Sequence, residues 1–233
     1  MNTNYKQICA ELNKKIKEYG LVKLTWGNVS VISKCRQFVF IKPSGVPFRD
    51  LTENQVSVID IMTGLLIDGK KQSVDTNIHL EIYKSFSDVN SIIHTHSKYA
   101  TSYAQACAPI RCLGTTHADY FKGGVPVSRH LSKKEIELDY EKNIGVSVCE
   151  WFYEAKISPL EKGAILLPHH GVLTFGTNGT KALENAIVLE EVAEMNMLTE
   201  KLNGTIEINE NTEYLFNKHY ERKNGEKKYY GQG

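Results

Sequence analysis

The stretch "SIIHTHSKYA", residues 91–100, holds two histidines one residue apart inside an apolar run. The run reads as a buried strand, and the "SKYATSYAQACA" beginning at Ser97 reads as a helix capped by that serine. On a strand, residues i and i+2 point the same way, so His94 and His96 share one face. Their Cα atoms then lie about 6.6 Å apart, at about 3.3 Å per residue. Imidazoles at that spacing can converge on one cation, with metal–nitrogen distances of about 2.0–2.1 Å. A hydrogen-bonded pair of core histidines would leave the same two letters, so other candidate ligands decide between the readings.

Two further stretches supply them. "LLPHHG", residues 166–171, puts His169 and His170 directly after an apolar strand. Neighbours on an extended chain face opposite ways, so the two do not both bind. "SVDTNIH", residues 73–79, puts Asp75 just before a helix, where it is either an ordinary N-cap or a ligand. Three imidazoles and one carboxylate make a nitrogen-rich, borderline site. It suits Zn²⁺ best, with Mn²⁺, Co²⁺ or Ni²⁺ as substitutes.

Around this centre the pattern alternates. A helix over residues 4–19 carries Ile8, Leu12, Ile16 and Tyr19 at helical spacing and stops at Gly20. "NVSVI", "QFVFIK", "VSVID" and "LLID" are short strands divided by "PSG" and "MTG" turns. A helix with Ile78, Ile82 and Phe86 on one stripe starts near Thr76. "GAILLP" and "GVLTFG" are apolar strands, followed by a long helix with Ala186, Leu189, Val192, Ala193 and Met197 on its stripe. The end reads as a helix running into a polar tail. Strands interleaved with helices define an α/β class with a largely antiparallel or mixed sheet, in one domain over residues 1–233.

Composition narrows the function classes. Of 233 residues, 28 are Lys or Arg and 27 are Asp or Glu, a net charge of +1 that argues against nucleic acid as a partner. No apolar run approaches the length of a membrane span, and the N-terminus lacks a signal peptide's apolar core. The five cysteines, Cys9, Cys35, Cys107, Cys112 and Cys149, are odd in number and widely spaced. They read as reduced thiols buried as small hydrophobes, and the expected location is cytoplasmic.

"HTH" and "HHG", together with "TWGNVS", "KPSG" and "GTTHADYF", resemble the class II aldolase/epimerase family, and the resemblance runs from "LVKLTWGNVS" to the terminal "YYGQG". It implies a three-layer α/β/α sandwich around a mostly antiparallel mixed sheet, assembled as a homotetramer with sites between subunits. By motif it also implies Asp75, His94, His96 and His170 as metal ligands, with His169 outside the set.

"TWGNVS", "KPSG" and "QSVDT" each combine small residues with hydroxyl or amide donors, and Lys42 adds positive charge, which suits a phosphate dianion. The resemblance implies that Gly27, Asn28, Ser44, Gly45, Ser73 and Val74 line the phosphate end. Family members usually carry two consecutive serines before the aspartate. Here the second position is Val74, which leaves only a backbone N–H. By the same resemblance Asp119 and Tyr230 transfer protons, His219 lies near the substrate, and the tail, residues 218–233, completes a neighbouring subunit's site. The implied reaction is epimerisation at carbon 4 of a ketopentose 5-phosphate by retro-aldol cleavage and re-addition. Family aldolases acting on a deoxyketose 1-phosphate carry Glu where this chain has Asp75 and lack "GTTHADYF". A metal-free structural relative would not keep the four ligands, and a dehydratase of a methylthio-sugar phosphate is a more distant alternative.

Overall fold

The computed structural model describes residues 2–226 and 228–230. In chain order the elements are α1 (Asn2–Glu18), β1 (Asn28–Ile32), β2 (Phe38–Ile41), β3 (Ser57–Asp60), β4 (Leu66–Asp68), α2 (Thr76–Ser85), β5 (Ser91–Thr95) and α3 (Lys98–Gln105). There follow α4 (Thr115–Ala118), α5 (Lys133–Ala155), α6 (Pro159–Lys162), β6 (Ala164–Leu167), β7 (Gly171–Gly176), α7 (Gly179–Asn203) and α8 (Glu210–Asn224). The strands form one sheet in the order β4-β3-β2-β1-β5-β7-β6. Every named ladder is antiparallel.

Period-two alternation sorts the side chains onto two faces. Val39, Ile41, Ile92, Leu173 and Phe175 meet α2 and the second half of α5 through Ile78, Ile82, Val148 and Phe152. Val29, Val31, Phe40 and Ile93 face α1 and the start of α7, while Leu166 and Val172 face α3 and the middle of α7. Helices thus cover both sides, and the chain is a three-layer sandwich. Ile92 is wholly buried one pleat before His94. Truncating it to Ala would cost about 2–5 kcal/mol and loosen the strand that carries the histidine.

Three local expectations change. Ile8 and Tyr19 face solvent, and the inward stripe of α1 is Cys9, Leu12, Asn13 and Ile16. Buried Asn13 accepts the Val29 N–H and donates to the Val29 carbonyl, so a polar residue holds α1 on β1. Ser97 sits at the N-cap of α3 without bonding it. The Glu190 carboxylate of α7 accepts the N–H groups of Tyr99 and Ala100 instead, at 2.9 and 3.0 Å. Not all cysteines are buried: all five are free thiols, but Cys35 is exposed and Cys107 and Cys112 are half-buried. The longest element without a counterpart among the assignments above is α5. It opens on a Ser132/Glu135 capping box and breaks at Asp139 (φ −157°, ψ 74°). Ile136 and Leu138 before the break are exposed, so no single apolar stripe runs its length.

Candidate metal centre

His94 ends the α2-facing side of β5, paired with Asn28 of β1 on one side and Leu173 of β7 on the other. His96 follows just beyond the strand. His170 stands in the tight turn between β6 and β7, where its N–H donates to the Leu167 carbonyl at 3.1 Å. The ring centroids of His94, His96 and His170 lie 4.9–5.0 Å apart, and their ligand atoms all fall within 4.8 Å of one another.

Two glycines make that convergence sterically allowed. A Cβ on Gly171 would lie 2.7 Å from Cδ2 of His96, 2.7 Å from the Thr95 carbonyl and 3.1 Å from Cε1 of His94. Gly27 has φ +82°, and a Cβ there would meet the His94 carbonyl at 2.7 Å. The glycines of "HHG" and "WGN" are therefore space left for the imidazoles and their strand.

The donor set fits a divalent cation. Nδ1–H of His94 donates to the Val172 carbonyl at 3.0 Å, which leaves Nε2 as a lone-pair donor. That Nε2 lies 3.1 Å from Nε2 of His96, close to the roughly 3.3–3.4 Å that separates two nitrogens on a tetrahedral metal. Nδ1 of His170 is buried with no hydrogen-bond partner. Burial pushes His96 down to about 4 and His170 down to about 3, helped by the neighbouring rings. Both rings are neutral at pH 7 and offer lone pairs.

Asp75 occupies the N-cap position of α2 but makes no capping bond. Its carboxylate instead accepts Nδ2–H of Asn28 at 2.7 Å and the Ser73 hydroxyl at 3.4 Å. It stands beside the tight three-ring group rather than within it. Burial pushes its pKa up, but His94, His79, His170 and the Asn28 bond outweigh that and hold it below the usual carboxylate range. A carboxylate turned away from its helix end and poised as an anion beside three imidazoles has the disposition of a ligand.

Gly27, Asn28, Lys42, Ser44, Gly45, Ser73, Val74 and the four candidate ligands line one cleft of about 280 Å³. Lys42, just past β2, is buried, with Nζ reaching the Thr25 and Pro43 carbonyls at 3.4 and 3.3 Å and lying 4.7 Å from the Phe48 ring centre. Burial pulls it down to about 8 against the opposing charge of Asp75. Oδ1 of Asn28 is buried and unpartnered. A larger cavity, about 840 Å³, lies between α1, α7 and α8 and contains none of these residues.

Asp119, His219 and Tyr230 do not line the cleft. They form their own cluster at the end of α4 and along α8. Asp119 accepts Nδ1–H of His219 at 3.0 Å and pairs with Arg222 at 3.3 Å, while the Arg222 guanidinium lies 4.3 Å from the Tyr230 ring centre. Arg222 is half-buried in this pair. Tyr229 is exposed.

Sequence reasoning missed two neighbours of the centre. His79 is wholly buried one turn after Asp75, bonded to the Ser30 hydroxyl at 2.7 Å. Its i+4 spacing from Asp75 was the available signal. The Tyr140 ring of α5 lies tilted, 6.2 Å from that of His170, and no local pattern marks it.

A seven-stranded antiparallel sheet between helical layers, with three imidazoles and an aspartate at one end, defines an α/β protein with a candidate metal site. The chain belongs to the Class II Aldolase and Adducin N-terminal domain family, which matches residues 7–197. It is similar in structure to an L-fuculose 1-phosphate aldolase at 25% identity and TM-score 0.78, covering 92% of this chain and 95% of that one. An L-fuculose-1-phosphate aldolase from Thermus thermophilus aligns at 23% identity and TM-score 0.68, over 88% of this chain and 100% of that one. A sugar-phosphate aldolase from Thermotoga maritima aligns at 18% identity and TM-score 0.69, over 87% and 97%. The latter two share the fold. The protein is thus of the class II aldolase/epimerase kind with a candidate divalent-metal site. Among the described residues no helix is long and apolar enough to cross a membrane.

Proposed function

We propose that this protein is a metal-dependent epimerase interconverting L-ribulose 5-phosphate and D-xylulose 5-phosphate. The observation that carries the reading is Asp75: a short carboxylate tied to Asn28 and Ser73 is a fixed ligand without the reach of a mobile base. Proton transfer must then come from elsewhere, and Asp119 and Tyr230 are the candidates.

Carbon 4 of a ketopentose 5-phosphate bears no acidic hydrogen, so inversion there requires the bond between carbons 3 and 4 to break and re-form. A Zn²⁺ held by Asp75, His94, His96 and His170 supplies Lewis acidity toward the carbonyl half, worth several kcal/mol. Lys42, the Ser44 and Ser73 hydroxyls and the N–H groups at Gly45 and Val74 hold the phosphate, so that the cleaved fragment turns over in place rather than leaving. Asn28 lines the phosphate end of the cleft and steadies Asp75 through its Nδ2–H. Asp119 and Tyr230 exchange the carbon 4 hydroxyl proton from opposite sides. Because their cluster stands apart from the cleft of its own chain, the reading requires a second copy to present it. A homotetramer in which the tail of one subunit, from residue 218 through Tyr230, closes the site of the next meets that requirement; residues 227 and 231–233 of the expected 218–233 tail lie outside the described residues.

The second reading is an aldolase of a deoxyketose 1-phosphate, favoured by the similarity to the L-fuculose 1-phosphate aldolase. One experiment separates the two. Carbon-13 NMR follows L-ribulose 5-phosphate with and without chelator, and a coupled assay detects dihydroxyacetone phosphate from the deoxyketose. Chelator-sensitive formation of D-xylulose 5-phosphate supports the epimerase. Release of dihydroxyacetone phosphate with no pentose isomerisation overturns it.

A further inference from the structure

We propose that Cys107, His130 and His169 form a second metal site, for a thiophilic borderline cation of the Zn²⁺ type. It is separate from the cleft and independent of the reaction assigned there. The three ligand atoms lie within 4.8 Å of one another. Sγ of Cys107 is 3.4 Å from Nε2 of His169, against about 3.5–3.6 Å between sulfur and nitrogen on a tetrahedral zinc. The rings of His130 and His169 are 5.4 Å apart, centre to centre.

Three segments distant in sequence are each anchored so as to meet here. His169 donates its N–H to the Ala104 carbonyl at 3.0 Å, which ties the β6–β7 turn to the end of α3. Cys107 leaves α3 with its N–H on the same carbonyl at 3.1 Å. His130 follows Arg129, which is fixed by Glu135 and Glu150 at 2.7 Å each. Cys107 and His169 both sit in left-handed backbone, at φ +52° and +56°. Such conformations are uncommon outside glycine and cluster at functional sites. Two of the three ligands share that feature.

The chemistry follows from the donors. One thiolate and two neutral imidazoles select Zn²⁺ over Mg²⁺ or Ca²⁺, and the thiol proton passes to solvent as the metal binds. His130 and His169 are exposed, so a fourth position stays open to water. The peptide between His169 and His170 joins the two centres, one ring turned to each.

Cobalt distinguishes them, because the cleft ligands include no sulfur. Metal-free full-length protein titrated with Co²⁺ is expected to take two equivalents per chain. Only the Cys107 site gives a thiolate-to-cobalt charge-transfer band in the near ultraviolet. Cys107→Ser should abolish that band and the second equivalent while leaving the first. His130→Ala, on an exposed loop, should weaken the second site by at least the roughly 10–100-fold that loss of an outer-shell partner costs. A single equivalent without a charge-transfer band overturns the proposal, as does a band that survives Cys107→Ser.

Discussion

Gly171→Ala adds one methyl group at the point where the three rings meet. Its backbone is not in the left-handed region, so the effect is steric alone. The new Cβ would sit 2.7 Å from His96 and from the Thr95 carbonyl, so each must retreat by about 0.7 Å to reach ordinary contact. The Thr95 backbone is paired in β5 and cannot yield freely, so the His96 ring takes most of the shift. Metal–ligand distances tolerate only about ±0.2 Å. The variant is therefore expected to lose metal affinity by about 10–100-fold, or about 1.4–2.8 kcal/mol. Competition for Zn²⁺ against a chromogenic chelator measures it, in a Cys107→Ser background that leaves only the cleft site. Gly114→Ala, where a Cβ meets nothing within 4 Å, serves as the control. Near-wild-type zinc affinity in folded Gly171→Ala would refute the reasoning that these rings converge on a metal.

Lys42→Met should weaken inorganic phosphate binding by about 10–100-fold, the worth of a charged hydrogen bond, in isothermal titration. Because Lys42 is pulled down to about 8, wild-type phosphate affinity should fall as pH rises through 8, and the Met variant should lack that step. Mixing Tyr230→Phe chains with His94→Ala chains, each inactive alone, should restore activity in re-formed assemblies; no recovery would confine each site to one subunit. The metal-free protein should lose stability below about pH 6.5. Burial holds His79 at about 3, so the unfolded chain binds the extra proton between those values. At pH 5 that single ring costs about 2 kcal/mol, with His96, His117 and His170 acting in the same direction. Urea midpoints measured from pH 7.5 to 5 test the sign, and a flat profile would contradict it.

What was legible in the sequence is whatever repeats with a short period or breaks one. Short apolar runs bounded by turn residues located all seven strands, and strand geometry put His94 and His96 on one face; that this face is the α2 side is decided by the packing. The resemblance assigned His170 over His169; the close approach at Gly171 was not read from the sequence and is seen only once the rings of His94 and His96 are in place. The residues of three separate turns expected to hold a phosphate line one cleft, because antiparallel pairing brings the ends of β1, β2 and β5 together.

Other features belong to the fold alone, since they depend on partners tens of residues away. Glu190 caps α3 across 91 positions, a choice that no window around Ser97 contains. Asn13 points inward only because the backbone of β1 is there to bond it. Arg222 looks like surface charge until α8 lies against α4 and gives it Asp119. Asp75 shows the division within one residue. Its letter and position read locally as a helix cap, and the amide of Asn28, 47 residues earlier, holds the carboxylate instead. Local pattern sets which way a side chain leaves the backbone, and the packing of distant segments sets what it meets.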